Sequence, residues 1–409
     1  MAKKKYWQSF AELNNSEAHQ KLSQNEFQEE LPFEVEDDKG LMKAPASRRD
    51  FLKYLGFSTA AAMAAASCEI PVRKAIPYLN KPENMVPGVA DYFATTYISG
   101  GEAIPVLAKV RDGRPIKLEG NTLSSFTKGG TSARVQASVL DLYDTARLRS
   151  AMVTGNGSKT ATSLEAADKA IMEGLAGLGG APVVLLTSTL TSPTGKQVIT
   201  EFLGKYPGSK QVQFDAVSYA GILLANEASY GKRQIPSYQF DKAQVIVSLG
   251  ADFLGTWLSP IEFARQWATG RKINENNPTL SKTYQFESSL SLTGANADER
   301  YTLRPSQAGL VAVALLNAVN GQPVTGVDGK LKQGIEKAAK DLLANKGKAL
   351  VVSGSNNVQQ QTIVNAINAA LEANGNTIDW SSPLQSFQGI DADMENLLAD
   401  MEAGKVGAL

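Results

Sequence analysis

Apolar and polar positions change rhythm along the chain, and each rhythm predicts a different element. Residues 104–121, Ile-Pro-Val-Leu-Ala-Lys-Val-Arg-Asp-Gly-Arg-Pro-Ile-Lys-Leu-Glu-Gly-Asn, form two alternating runs that meet at Asp112-Gly113. Period-two alternation is the mark of a strand with one covered face, and Asp-Gly between two such runs predicts a hairpin. Val106, Ala108 and Val110 then share a face, as do Ile116 and Leu118 on the return strand. From about residue 160 the pattern becomes strand, helix, strand. Residues 162–180 open with a capping box, Thr162 to Glu165, and place Leu164, Ala167, Ile171, Leu175 and Leu178 on one helical face before Gly179-Gly180.

Next comes Pro-Val-Val-Leu-Leu-Thr-Ser (182–188), a continuous apolar run of the kind buried parallel strands carry. A helix at 195–203 and a strand at 211–214 follow, and residues 243–253 and 348–357 repeat the strand signal. The last of these leads into a helix bearing Ile363, Ile367 and Leu371. Alternating strands and helices predict an α/β fold with a doubly wound parallel sheet, preceded by a smaller β-rich domain. Ligands of such sheets bind beyond the carboxyl ends of the strands. Those ends are Thr187-Ser188, Asp215-Ala216, Gly250-Ala251-Asp252 and Ser353-Gly354-Ser355. They are small and polar, a composition that suits phosphate loops and plain turns alike.

Composition narrows the chemistry. Lys plus Arg and Asp plus Glu number 41 each among 409 residues, so no charge excess points to nucleic acid. One cysteine, Cys68, and one histidine, His19, are present. Zinc, haem and iron–sulfur centres are normally held by thiolate or imidazole, and everything after Cys68 lacks both. Cys–His and Ser–His–Asp catalysis are excluded within this chain, as is a disulfide framework.

Ser47 to Cys68 reads as an export signal. Arg48, Arg49 and Lys53 form a basic start, Tyr54 to Ser67 a moderately apolar stretch, and Ala65-Ala66-Ser67 the small residues of a cleavage site. A bilayer-spanning helix needs roughly 20 strongly apolar residues, more than this stretch supplies. The competing reading is an amphipathic core helix over 51–66. Small residues before a cysteine also match a lipoprotein site, with Cys68 carrying a diacylglyceryl group; the competing reading is a buried, inert thiol. Acyl chains contribute about 0.8 kcal/mol per buried methylene to membrane attachment. An acidic cluster, Glu34, Glu36, Asp37 and Asp38, lies in the polar leader, and Pro71, Pro77, Pro82 and Pro87 punctuate an extended connector.

Two stretches carry a resemblance. Residues 5–13 (Lys-Tyr-Trp-Gln-Ser-Phe-Ala-Glu-Leu), Phe27-Gln28-Glu29-Glu30 and Ser-Arg-Arg-Asp-Phe-Leu-Lys at 47–53 together resemble the extended twin-arginine leader of the B subunits of alternative complex III, a bacterial quinol-oxidising respiratory complex. Residues 110–121 followed by 129–148 are similar to the N-terminal domain of the molybdopterin oxidoreductase superfamily. Arg134, Gln136, Ala137, Tyr143, Asp144 and Arg147 stand in the superfamily's order, with Thr145 where proline is usual. Cluster-bearing members have a cysteine just before the Ala-Arg pair. Here that position is Ser132, and Ala90-Asp91-Tyr92-Phe93 stand where further cysteines would be. Residues 251–271 also resemble the B-subunit family, with Trp257, Phe263 and Trp267 either in the core or facing a partner. Asp298, Glu299 and Arg300 read as a solvated loop. Ser192 to Gln197 departs from a Walker loop, with Leu190 in place of glycine and Gln197 in place of Ser/Thr.

The resemblance implies a leader at 1–46, a twin-arginine signal at 47–68, a connector at 69–88, a β-rich domain at 89–158 and Rossmann-like α/β domains at 159–409. It implies a molybdopterin-oxidoreductase-like fold incomplete at the C-terminus, where residues 401–409 begin an apolar run and the family continues toward a ferredoxin-like domain with iron–sulfur clusters. The expectation is a non-catalytic, cofactor-free scaffold with no catalytic, cofactor-binding or metal residues of its own. Arg48 and Arg49 would direct export, Cys68 would hold the lipid, and Ser132 would mark the lost cluster ligand. The expected partners are a multihaem cytochrome c subunit, multi-span quinol-oxidising membrane subunits and an iron–sulfur domain, on the periplasmic face of the inner membrane. Two rivals stand beside it: an active molybdenum or tungsten bis-pterin oxidoreductase, and a periplasmic ligand-binding lipoprotein.

Overall fold

The computed structural model describes residues 85–86, 88–99, 101–155, 157–273 and 278–409. Arg48, Arg49, Cys68, the leader and most of the connector lie outside the described residues.

Three antiparallel strands come first: β1 (Ala90–Ser99), β2 (Glu102–Arg111) and β3 (Arg114–Gly120). Asp112 and Gly113 both take positive φ, 49° and 74°, the backbone of a tight two-residue hairpin turn. Ile104 and Val106 are buried against Val135 of a short helix, α1 (Ala133–Ala137), with Leu118 packed beside them. The return strand departs from simple alternation. Lys109 pairs with Lys117 and Val110 with Pro115, so Ile116 is an extra, unpaired residue and lies exposed instead of sharing Leu118's face. A 3-10 turn (Ser138–Tyr143) and a hairpin of β4 (Ala151–Gly155) and β5 (Ser158–Thr162) lead onward.

Helix α2 (Leu164–Ala176) is capped by Ser163, whose Oγ accepts from the Ala166 N–H at 3.1 Å. The predicted cap at Thr162 is thus one residue early, because Thr162 is still paired in β5. The apolar face foreseen for this helix is not buried: Leu164 is 73 % and Ile171 59 % exposed. Strand β6 (Val184–Thr187), helix α3 (Pro193–Leu203) and strand β7 (Lys210–Gln213) form a small parallel pair, with Val183 bridged to Ala408. Val184 and Val212 are buried there with Leu397 of α10 (Asp391–Glu402), which closes this lobe.

The main sheet is fully parallel, in the order β11 (Glu299–Thr302), β10 (Lys282–Glu287), β9 (Val245–Leu249), β12 (Ala349–Ser353). Val245, Val247, Leu249, Tyr284, Phe286 and Val351 pack on α7 (Ala308–Val319), α8 (Gly329–Ala344) and α9 (Val358–Ala370). Ile246, Leu350 and Val352 face the other way, onto α4 (Ala220–Tyr230), α5 (Pro260–Gly270) and the antiparallel ribbon of β8 (Ile235–Tyr238) and β13 (Ile378–Leu384). Both faces being covered explains why β9 and β12 read as nearly unbroken apolar runs. Each such side chain contributes about 1.5–3 kcal/mol relative to exposure. Trp257 and Phe263 belong to this core, and Trp267 is partly buried against it with its indole N–H on Thr283 Oγ1 at 2.9 Å.

The expected solvated loop at Asp298–Arg300 is corrected by the structure. Glu299 and Arg300 start strand β11, and all three charges are paired: Asp298 with Arg271, Glu299 with Lys282 and Lys337, Arg300 with Glu287. Among the described residues, no helix is long and apolar enough to cross a membrane.

Candidate functional site

Chain order runs β9, β10, β11 to one side of the main sheet and returns with β12 on the other side of β9. The crevice between β9 and β12 is therefore the switch point where this architecture places ligands. Here the two loops touch. The Gly354 N–H donates to the Leu249 carbonyl at 3.1 Å, and a Cβ on Gly354 would lie 2.3 Å from the Gly250 carbonyl oxygen. Ser353 is buried, its Oγ accepting from Gln360 Nε2 at 3.1 Å, while Gln361 Nε2 donates to the Ser353 carbonyl at 3.0 Å.

The other polar strand ends are spent in the same way. Asp252 Oδ1 accepts from both the N–H and the hydroxyl of Thr293, at 2.9 Å each. Asp215, also buried, accepts from the Thr189 N–H and hydroxyl at 2.8 and 2.6 Å and from the Gly389 N–H at 3.0 Å. These contacts join separate segments: Thr189 follows β6, Asp215 follows β7, and Gly389 precedes α10. The small polar residues thus lock loops together, using donors and acceptors that a ligand would otherwise meet.

Beside the switch point a cavity of about 200 Å³ is lined by Gly250, Glu287, Ser288, Gly354, Ser355 and Gln360 among others. That is below the roughly 300–1,000 Å³ of ligand clefts. Glu287 sets its charge. Burial opposes ionisation of this carboxyl, but hydrogen bonds from Ser291, Arg300 and Gln285 outweigh it and hold its pKa below the ordinary glutamate value. The fold's pterin dinucleotide carries a pyrophosphate, which needs N–H donors or cations. The closed backbone contact between the two loops does not leave room for that group.

Ser132 caps α1, its Oγ accepting from the Val135 N–H at 3.3 Å. It lines a groove with Glu102, Arg134 and Arg265. Arg134 lies 3.9 Å from Glu102, and the Tyr143 hydroxyl donates to the Pro115 carbonyl at 2.6 Å, tying the 3-10 turn to β3. Asp144 accepts from the Ala146 N–H at 2.8 Å. The residues that carried the superfamily resemblance therefore build the join between hairpin and helix. No group of three or more His, Cys, Asp or Glu side chains suited to a metal ion occurs among the described residues. Lys196 of the Walker-like stretch is exposed on α3, whose cap is Ser192 accepting from the Gly195 N–H.

One feature had no sequence signal. Glu102 and Glu262, 160 positions apart, line a single cavity of about 370 Å³. Each sits in an unremarkable local pattern, and only the tertiary fold brings them together.

No protein-family model matches the chain. Over 278 residues the chain is 24 % identical to the menaquinone reductase, molybdopterin-binding-like subunit of Nitratidesulfovibrio vulgaris, covering 66 % of this chain and 39 % of that protein. The chain thus spans well under half the length of that relative. Among solved structures it is similar to acetylene hydratase from Pelobacter acetylenicus, with a TM-score of 0.51 at 13 % identity over 75 % of this chain and 49 % of the other. The fold is α/β and molybdopterin-oxidoreductase-like. A weaker likeness, TM-score 0.42 at 14 % identity, is to the formyltransferase/hydrolase complex of Methylorubrum extorquens, covering 62 % of this chain and 74 % of the other.

Proposed function

We propose that this chain is a molybdopterin-oxidoreductase-like docking subunit of a quinone-linked, membrane-attached respiratory complex, without a pterin or metal centre in its described part. The observation that carries this reading is the use of the strand ends: Asp215, Asp252 and Ser353 all turn their polar groups onto the chain itself. The relative's printed description, a molybdopterin-binding-like subunit of a menaquinone reductase, supports the quinone link.

Exposed apolar side chains support docking as the contribution of this module. In the turn after α1 and just beyond it, Leu140 is 67 % and Leu148 73 % exposed, and Phe93 and Ile98 project from β1. In this reading these side chains belong to a partner-facing surface, as contiguous exposed apolar patches do. In this reading the partners are a multihaem cytochrome c subunit, multi-span quinol-oxidising subunits and an iron–sulfur domain, and electrons pass through them. Export by Arg48 and Arg49, a lipid on Cys68 and a periplasmic location belong to the same proposal.

Extraction of the native membrane in mild detergent, with identification of everything that travels with this chain, tests it. Copurification with haem c and multi-span membrane subunits is the expected result. Recovery of the chain as a free monomer from intact membranes overturns it.

A further inference from the structure

The cavity shared by Glu102 and Glu262 lies between β2, the loop before α1, the start of α5 and the end of β13. Its wall is mostly apolar, built from Ile104, Phe126, Leu258, Ile261, Pro383 and Leu384. Its volume of about 370 Å³ falls within the range of small-molecule clefts. Two glutamates, Glu102 and Glu262, line it, and no Lys, Arg or His is among its described lining residues.

Burial raises the pKa of both carboxyls. Glu262 is 7 % exposed, and burial pushes its pKa up, against hydrogen bonds from Ser259 and Gln266 and with Asp241 adding in the same direction. Glu102 is likewise raised by burial, with Arg134 opposing from 3.9 Å. Thr127, 1 % exposed, also lines the cavity, and its hydroxyl has no hydrogen-bond partner among the described residues. Buried polar groups are ordinarily satisfied, and an orphan beside a cavity is a place to look for a ligand. One bulky residue on the wall, Leu258, takes a φ of 53°. Such backbones are sparsely populated for side chains of this size, and they gather at binding sites.

We propose that this cavity binds a small organic cation, a primary amine with an aromatic or branched aliphatic body, whose ammonium is held by Glu102 and Glu262. The apolar wall takes the body and the carboxylates take the N–H donors. An ammonium supplies a positive charge that the described lining residues lack. A neutral alcohol of the same shape gains only ordinary hydrogen bonds, and an anion is repelled. The same repulsion turns away a pyrophosphate, which makes this ligand chemistry different from that of the fold's cofactor. The site stands independently of the docking function.

Isothermal titration of the full chain with 2-phenylethylamine, 2-phenylethanol and phenylacetate tests it. The amine should bind at least about tenfold more tightly than the alcohol, the factor a charge-assisted hydrogen bond supplies, and phenylacetate should not bind. Glu102→Gln and Glu262→Gln should each weaken the amine by about tenfold, and Ser382→Trp, at an exposed position on the rim, should block it. If Glu262→Gln disturbs folding, Glu102→Gln and Ser382→Trp carry the test by themselves. Equal affinity for amine and alcohol, unchanged amine binding in the variants, or no binding of the amine at millimolar concentration overturns the proposal.

Discussion

A Cβ placed on Gly354 would lie 2.3 Å from the carbonyl oxygen of Gly250, so the loops after β9 and β12 meet backbone to backbone. In a doubly wound sheet this is the crevice where a ligand enters. Here it is a contact between two turns. Gly354→Ala should therefore destabilise the chain by about 1–3 kcal/mol through overpacking, read as a lower urea midpoint with unchanged slope. An unchanged midpoint would mean that the crevice opens readily.

The Glu287–Arg300 pair ties β10 to β11, with the carboxylate buried among donors from Ser291 and Gln285. Arg300→Met leaves that carboxylate without its cation and should cost about 3–5 kcal/mol. The pH dependence has a definite sign. The folded pKa of Glu287 is below the ordinary value of 4.5, so the unfolded chain binds more protons in this window. The stabilisation is complete above the ordinary value and is lost as pH falls below it toward the folded pKa. Thermal unfolding from pH 6 to 3 should show this loss in the native chain and a shallower one in Glu287→Gln.

Glu262 has the opposite sign. Its pKa is raised by burial, so the folded chain holds its proton to higher pH than the unfolded chain does. Its contribution to stability falls as pH rises through 4.5 toward the raised value. Glu262→Gln, neutral and of the same shape, should melt at a higher temperature than the native chain at pH 7 and at nearly the same temperature at pH 4. The reverse order would contradict the burial argument.

Leu140 and Leu148 are exposed and packed against nothing in this chain's core clusters. Leu140→Glu and Leu148→Glu should change stability by no more than about 0.5 kcal/mol, as surface substitutions do. Both should strip this chain from the proposed membrane partners during mild-detergent purification. Full retention of partners by the double variant would remove this surface from the docking interface.

The strongest elements were legible because burial on both faces leaves a plain signature: β9 and β12 are the two runs of the main sheet with nearly no polar interruption. Strand β11 was not legible. Glu-Arg-Tyr-Thr looks solvated because its charges are neutralised by Lys282, Lys337 and Glu287, residues supplied by other elements. The cap of α2 slipped by one because Thr162 and Ser163 are both hydroxyl residues, and only pairing in β5 decides between them. Its periodic apolar face was correctly patterned but left uncovered, since pattern records amphipathicity and not what lies opposite. At the site, Gly250, Asp252 and Ser353 were found from their place after strands. That Asp252 would be spent on Thr293, and that Glu102 would meet Glu262, depends on long-range packing that local sequence does not encode.

We infer that, within a molybdopterin-oxidoreductase-like fold, the described strand ends bond to the chain itself and hold no pterin. Metal analysis of the full chain purified from its native membrane, combined with fluorescence of oxidised pterin released on denaturation, tests this most directly. The account predicts molybdenum, tungsten and pterin all far below one equivalent per chain. One equivalent of either metal together with pterin, bound to this chain, would contradict it.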